Sequence, residues 1–422
     1  MMIPRQLRPA GERVPLPGIS PRSSGDKAAS AAANLQFPGY LAHWYGSGTA
    51  ALAAALKLAA NRATTTRPEV VMPAYACPDV VSAAVFAGVQ PVLADTLPEL
   101  PWLDPVSVER SITRHTVALL SIRFLGLPSN DQALRRMLGS DGPLLIEDHA
   151  HAFPLDMQVR SSADLVVISF GRGKPVSLRR GGVLLQTLGS TAANALPPQP
   201  ADRRETGVRR LTHQANCLLY NLSIQPAVYR FLTGVARVPV DAISYRELTE
   251  LEPFPHRLHR LLPQAIDRHR STGRWREDTI ESILRGPDVP WVDVATHSRR
   301  MAAADCSTAT RTDRLWRYPL LLRSETERDR LFAGLWQQGL GPSRMYRRLL
   351  SEIPATATYV RSGAHPAAGD FARRLLTLPL HSDVRKRDLL AMRNCLDQFS
   401  EVFDQTGRTA LHRSHKGARV AD

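Results

Sequence analysis

Between residues 70 and 146, short apolar runs alternate with helix-compatible stretches at a spacing that few architectures accommodate. Val70-Val71-Met72 reads as a strand, residues 80–87 as a helix, and residues 90–94 as a strand ending at Asp95. A helix near 104–112 leads to a strand at 116–122, then a helix near 130–138 and a strand at 143–146. Strands alternating with helices build βαβ units, and so predict an α/β fold with a largely parallel sheet covered on both faces. In such sheets ligands sit at the carboxyl ends of the strands. The residues that follow each strand are therefore the ones to read for chemistry.

A chain of 422 residues with 43% hydrophobic content has room for a sizeable core and two domains. Residues 1–36, rich in Pro, Arg, Ser, Gly and Ala, read as a flexible leader without a secretory hydrophobic core. Residues 37–255 form the expected large domain, whose pattern loosens over 187–255, with Pro197-Pro198-Gln199-Pro200 marking a loop. Alternation resumes after an arginine-rich helical segment at 256–285. A strand at 315–322 is followed by Ser324-Glu325-Thr326-Glu327, which has capping-box spacing for a helix ending near Gly339. A strand at 375–380 and a helix over 384–399 complete a smaller α+β domain, 256–405, with a basic tail at 406–422. The moderately apolar stretch 211–235 admits two readings. Ordinary packing is the expected one; a membrane or subunit contact is the other.

Lys174 is one of only five lysines (27, 57, 174, 386 and 416) in a chain that otherwise takes its positive charge from arginine. It lies in Ser169-Phe170-Gly171-Arg172-Gly173-Lys174, after the apolar run Leu165-Val166-Val167-Ile168. Upstream, Pro143-Leu144-Leu145-Ile146 ends in Glu147-Asp148. A lysine and a carboxylate at the ends of neighbouring strands are the two groups needed to hold pyridoxal phosphate. The amine forms a Schiff base and the acid pairs with the pyridine nitrogen. Gly46-Ser47-Gly48-Thr49, leading into an Ala/Leu run, offers free backbone N–H groups and a helix dipole to a phosphate.

Each of these residues also has an ordinary reading. A lysine after a strand is commonly a solvated loop residue, an aspartate there a helix cap, and a serine or threonine before an Ala/Leu run only an N-cap. Order and position at strand ends favour the joint reading. Ser169 is a hydroxyl donor to the phosphate or a strand-end serine bonded to backbone. His151 is placed to contact the cofactor ring or its 3′-oxygen, with His149 as its competitor. Tyr75 follows a strand and falls at the same edge. Cys77 has no His/Asn partner pattern and reads as a small packing residue beside the ring.

The net charge of +15 is compatible with nucleic acid, a membrane surface, an anionic substrate, or simply an arginine-biased composition. There is no Cys/His finger spacing and no RNP-like motif, which argues against nucleic acid. No apolar run approaches the ~20 residues that cross a bilayer. The four cysteines (77, 217, 306 and 395) are scattered without a CxxC pair. That suits a reducing cytoplasm and argues against a structural zinc site.

Taken together, these segments resemble the DegT/StrS-type aminotransferases that act on nucleotide-linked keto sugars. Ser47-Gly48-Thr49-Ala50-Ala51-Leu52 is similar to the family's phosphate turn, and Met72-Pro73-Ala74-Tyr75 with Ala87-Gly88-Val89-Gln90-Pro91-Val92 to its next strand–helix–strand unit. Glu147-Asp148-His149-Ala150-His151-Ala152, Ser169-Phe170 with Lys174 and Arg180-Gly181-Gly182, and Leu378-Pro379-Leu380-His381 resemble its later motifs. The resemblance covers 37–186 and 313–400. It implies a fold-type-I architecture, with a mostly parallel seven-stranded sheet between helices plus a small C-terminal domain, and a homodimer with active sites at the subunit interface.

Residue by residue, the resemblance assigns Lys174 to the Schiff base, Asp148 to the pyridine nitrogen, His151 to a position near the ring, and Ser169, Gly48 and Thr49 to the phosphate. A lysine at 174 separates the chain from the family's dehydratase branch, which has histidine there. The chain departs from the pattern at Cys77, where an aromatic is usual, and at Arg180, where glutamate is frequent. It also lacks the G-x-N-x-R-M-x-E segment, and 187–312 is divergent. The expected activity is transamination from a donor such as glutamate to a nucleotide-linked sugar. The alternatives are a pyridoxal-phosphate enzyme on another, membrane-linked carbonyl substrate, or a cofactor-binding regulatory protein without turnover.

Overall fold

Five strands of the computed structural model, buried along most of their length, run parallel through the body of the large domain. Residues 5–16, 37–62, 64–189, 207–235, 245–285, 289–305 and 314–417 are described. The chain opens with β1 (Tyr40–Tyr45) and α1 (Gly48–Arg62), then β2 (Glu69–Pro73), α2 (Asp79–Ala87), β3 (Gln90–Ala94), α3 (Pro105–Ser111) and β4 (Thr116–Ile122). α4 (Asp131–Leu138), β5 (Leu144–Asp148), β6 (Leu165–Ser169) and β7 (Gly182–Thr187) follow. The strand order is β1-β7-β6-β5-β4-β2-β3. The pairs from β3 to β6 are parallel, whereas β7 runs antiparallel to both β6 and β1. The expected mostly parallel seven-stranded sheet is present.

Alternate residues of each strand feed two separate cores, as the two-residue side-chain period requires. Met72, Leu120, Ile146, Val167 and Leu184 enter one apolar cluster. Val71, Leu119, Leu145, Val166, Ile168 and Val183 enter the other. α1 is buried almost all round, from Ala50 to Leu56 and at Leu58 and Ala59. Its run of alanines allows that close approach and also favours the helix. α2 ends at Gly88, whose left-handed backbone (φ 72°) returns two N–H groups to the last turn.

After β7 come α5 (Gly207–Ser223) and α6 (Pro226–Val235), then α7 (His256–Thr272) and α8 (Trp275–Leu284). The small domain contains β8 (Trp291–Asp293), α9 (Val294–Asp305), β9 (Arg317–Leu322), α10 (Glu325–Gln337), α11 (Pro366–Arg374), β10 (Leu375–Pro379) and α12 (Lys386–Gly417). Its sheet is antiparallel, in the order β10-β9-β8. The predicted N-cap is present: the Ser324 hydroxyl accepts the Glu327 N–H at 3.2 Å.

Three features differ from the sequence expectations. Residues 211–235 form two helices and the turn between them, which bury Cys217 and Ile224 but leave several large apolar side chains exposed. Leu211 is 67% exposed, Leu219 62% and Phe231 65%. Composition detects an apolar face but cannot show whether this chain covers it. The leader contains a fixed piece, because Leu7 and Val14 are each 1% exposed and Arg8 and Glu12 are buried through ion pairs. A composition count treats such arginines and glutamates as solvated. Finally, α12 continues to Gly417, into the stretch read as a tail. The Pro197–Pro200 loop lies outside the described residues.

Candidate active site

The ends of β5 and β6 lie side by side and define the site. Asp148 closes β5, and Ser169 closes β6 beside the antiparallel Gly182. The turn after Ser169 delivers Lys174: Gly171 accepts the Lys174 N–H at 3.3 Å, and Gly173 adopts φ 81°. Gly48, Thr49, Cys77, Asp148, His151, Ser169 and Lys174 line one cavity. Seven of the eight predicted site residues therefore converge.

Tyr75 does not join them. It is 3% exposed, and its ring packs against Phe124 at 5.5 Å and against Tyr346 and Phe371 at 5.6 Å each. A strand-end position says little about side-chain direction once the chain has entered a turn, and here the ring turns into the core behind Tyr346.

The start of α1 forms an anion cradle. The Ser47 hydroxyl accepts the Ala50 N–H at 3.0 Å, so Ser47 acts as the cap. Gly48 must be glycine, because a Cβ there would lie 2.6 Å from the Ser169 Cβ. A Cβ on Gly182 would lie 2.6 Å from the Gly48 nitrogen. These close approaches leave the helix N-terminus open to the cavity, where its N–H groups and dipole favour a phosphate.

The end of β5 and the turn that follows it separate the two histidines. Glu147 and His149 point to the side away from the cavity, where His149 Nε2 meets Glu147 Oε2 at 2.7 Å. Burial works to raise the Glu147 carboxyl, but His149, Arg123 and the Ser129 hydroxyl outweigh it and bring it to about 2. Asp148 and His151 face the cavity. Burial raises Asp148 above the usual carboxylate range, and the charge of Lys174 partly offsets this.

Burial also lowers His151 well below the usual imidazole value, assisted by Lys174 and Arg317. The ring is therefore neutral near pH 7. Its Nδ1 accepts the Leu125 N–H at 3.4 Å, which leaves the proton on Nε2, 3.3 Å from the Tyr346 hydroxyl.

The small domain supplies groups that the sequence did not identify. Trp316 stacks on His151 with centroids 4.3 Å apart, and Lys174 Nζ lies 5.6 Å from the Trp316 ring centroid. Trp316 Nε1 donates to the Gly173 carbonyl at 2.8 Å. Tyr346 lines the cavity, as do Phe124 and Asp79. Burial raises the Asp79 carboxyl against the opposing charges of Lys174 and Arg246. Burial and Asp79 push the Cys77 thiol up to about 11, so it is a neutral wall residue and not a nucleophile. Arg180, at the family's usual glutamate position, pairs on the surface with Glu252.

These residues fit a phosphorylated pyridine aldehyde. An amine and a buried acid share the cavity, and a glycine cradle closes one end of it. Comparison with known proteins agrees. Residues 42–214 match the model of the DegT/DnrJ/EryC1/StrS aminotransferase family. A dTDP-3-amino-3,4,6-trideoxy-alpha-D-glucose transaminase of Streptomyces venezuelae is 25% identical over 347 residues, covering 80% of this chain and 78% of the relative. The crystal structure of S. venezuelae DesV superposes with a TM-score of 0.61 at 20% identity, over 92% of this chain and 90% of that one. Helicobacter pylori PseC, an aminotransferase of pseudaminic acid biosynthesis, gives 0.62 at 14% identity, over 94% of this chain and 100% of that one. Over residues 42–214 the chain is thus similar to the DegT/DnrJ/EryC1/StrS aminotransferases, and its fold is that of DesV and PseC.

Proposed function

We propose that this protein is a pyridoxal-phosphate-dependent aminotransferase that moves an amino group from glutamate to the keto group of a nucleotide-linked sugar. The observation that carries the reading is the convergence of Lys174, Asp148, His151 and the Gly48 cradle on one cavity. Pyridoxal phosphate, when bound, supplies the electron sink through which an amine and a carbonyl exchange. Lys174 would hold it through Nζ, Asp148 through the ring nitrogen, and Gly48, Thr49 and Ser169 through the phosphate.

The protein's own groups divide the remaining work. Lys174 Nζ takes a proton from the substrate carbon and returns it, as a general base and then a general acid. Asp148, as a carboxylate, would place a negative charge in the buried end of the cavity, where burial raises its pKa. Without a cation opposite, that charge is costly, and a buried pair broken on one side loses about 3–5 kcal/mol. Neutral His151, held in one tautomer by Leu125 and in one orientation by Trp316, offers a fixed N–H donor. Phe124 and Tyr346 supply apolar walls that limit water around these charges.

The named activities of the relatives support a sugar acceptor for polysaccharide, glycolipid or antibiotic pathways. We further propose a cytoplasmic homodimer. Its contact surface would be the exposed apolar face of α5 and α6, which adjoins the site through Arg179, 5.6 Å from the Tyr220 ring centroid. Light scattering showing a monomer, or sedimentation with lipid vesicles, would contradict that assignment. The functional test is spectroscopic. Protein loaded with pyridoxal phosphate should show a cofactor absorbance that shifts on adding glutamate, and Lys174→Ala should abolish that absorbance band. An unchanged spectrum in Lys174→Ala would sink the site assignment, and no response to glutamate would remove glutamate as donor. Screening keto sugars as acceptors then tests the substrate class.

A further inference from the structure

Residues 5–16 run from the small domain to the turn that carries Lys174. At the small-domain end, the Leu7 N–H donates to the Gly339 carbonyl at 2.8 Å, and His381 Nε2 meets the Arg8 carbonyl at 2.9 Å. Glu12 accepts the Ser382 hydroxyl at 2.6 Å and pairs with Arg314 at 3.3 Å. Arg8 is only 2% exposed. It pairs with Asp383, donates to the Ile224 carbonyl at 3.0 Å, and places Nε and a terminal nitrogen 2.9 and 2.7 Å from the Gly11 carbonyl.

Gly11 is thus clamped by a buried guanidinium, in a left-handed conformation (φ 95°). It presses on the residue just before the lysine: a Cβ on Gly11 would lie 2.7 Å from the Gly173 Cα. The Gly173 carbonyl is held from the other side by Trp316.

We infer that the N-terminal segment is a positioning element for Lys174, in which Arg8 and Asp383 fix Gly11 against Gly173 and so set the direction in which the lysine leaves its turn. The consequence for function rests on the role given to Lys174 above. A long side chain magnifies small rotations at its root, and a misplacement of about 1 Å at a reacting group costs up to about a hundredfold in rate. Arg8 and Gly11 act through Gly173 and touch no reacting atom, so they are positioning residues.

The full-length chain tests this with Gly11→Val, Arg8→Met and Arg8→Lys, read in two ways. The first readout is hydrogen exchange, measured by mass spectrometry, in peptides covering 170–176 and the β7 strand. Gly11→Val and Arg8→Met should exchange at least about fivefold faster at 170–176 and unchanged in β7. Arg8→Lys, which can still face Asp383, should recover part of the protection. The second readout is the rate at which added pyridoxal phosphate becomes fixed to Lys174 on borohydride reduction, expected to fall about tenfold or more in the same two variants. Unchanged exchange at 170–176, or an equal rise there and in β7, would overturn the inference. Arg8→Met leaves Asp383 its 3.0 Å pair with Arg13, so it serves if Gly11→Val does not fold. If the unaltered protein fixes no pyridoxal phosphate, the functional reading fails, while hydrogen exchange still decides the role of the segment.

Discussion

Asp148 and Glu147 are adjacent carboxylates that their surroundings shift in opposite directions. Glu147 is pulled down to about 2 by groups on the far side of the sheet, whereas Asp148 is pushed above 3.8 by burial in the cavity. For a depressed carboxyl the stabilisation is full above its ordinary value of 4.5 and is lost as pH falls toward 2. Glu147→Gln, which breaks a buried pair, should therefore cost about 3–5 kcal/mol near neutrality. The gap to the unaltered protein should close below about pH 4 in urea melts. Asp148 has the opposite sign. Stability is greatest below its ordinary value and falls as pH rises through the raised one. Asp148→Asn should thus raise the melting temperature of the cofactor-free protein at pH 7 by about 1–3 °C and flatten its pH dependence. It should also weaken cofactor binding at least about tenfold by absorbance titration, as expected when activity is gained at the expense of stability. A lower melting temperature for Asp148→Asn would show that the buried charge is already compensated.

At the scale of elements, the start of α1 is built from glycine because β6 and β7 crowd it. Gly48→Ala must displace Ser169, so it should reduce phosphate-dependent cofactor affinity about tenfold or more while keeping the helix. Comparing pyridoxal phosphate with unphosphorylated pyridoxal checks this, since only the phosphate form should lose affinity. These elements were legible in the sequence because their signals are local. Strand period, glycine turns and strand-end polar residues identify Asp148, Ser169, Lys174 and the Gly48 turn without any tertiary information. Tyr346, which lines the cavity, and Trp316, which backs His151, were not legible, because they come from a domain far along the chain and nothing around them distinguishes a site residue from a core one. Tyr75 was misplaced for the converse reason: its position was right, but side-chain direction after a strand is set by the turn. Arg8 was hidden because a buried, paired arginine has the same composition signature as a solvated one.

The whole molecule is organised so that the lysine on the large domain is held by groups from elsewhere. Trp316 comes from beside β9 of the small domain, and Gly11 from the N-terminal segment. Trp316→Phe keeps an aromatic face for His151 but removes the N–H that holds Gly173. A hydrogen bond of that kind contributes about 0.5–1.5 kcal/mol, so cofactor affinity should fall about two- to tenfold. A loss of several hundredfold would mean that the ring itself, and not the bond to the turn, is the main contribution. The most direct measurement of the central claim is chemical. The full-length protein is incubated with pyridoxal phosphate, reduced with borohydride and digested, and the modified peptide is mapped by mass spectrometry. The structure predicts one modified residue, Lys174. Modification spread over the other lysines, or none at all, would contradict the assignment of this cavity as the site of amine transfer.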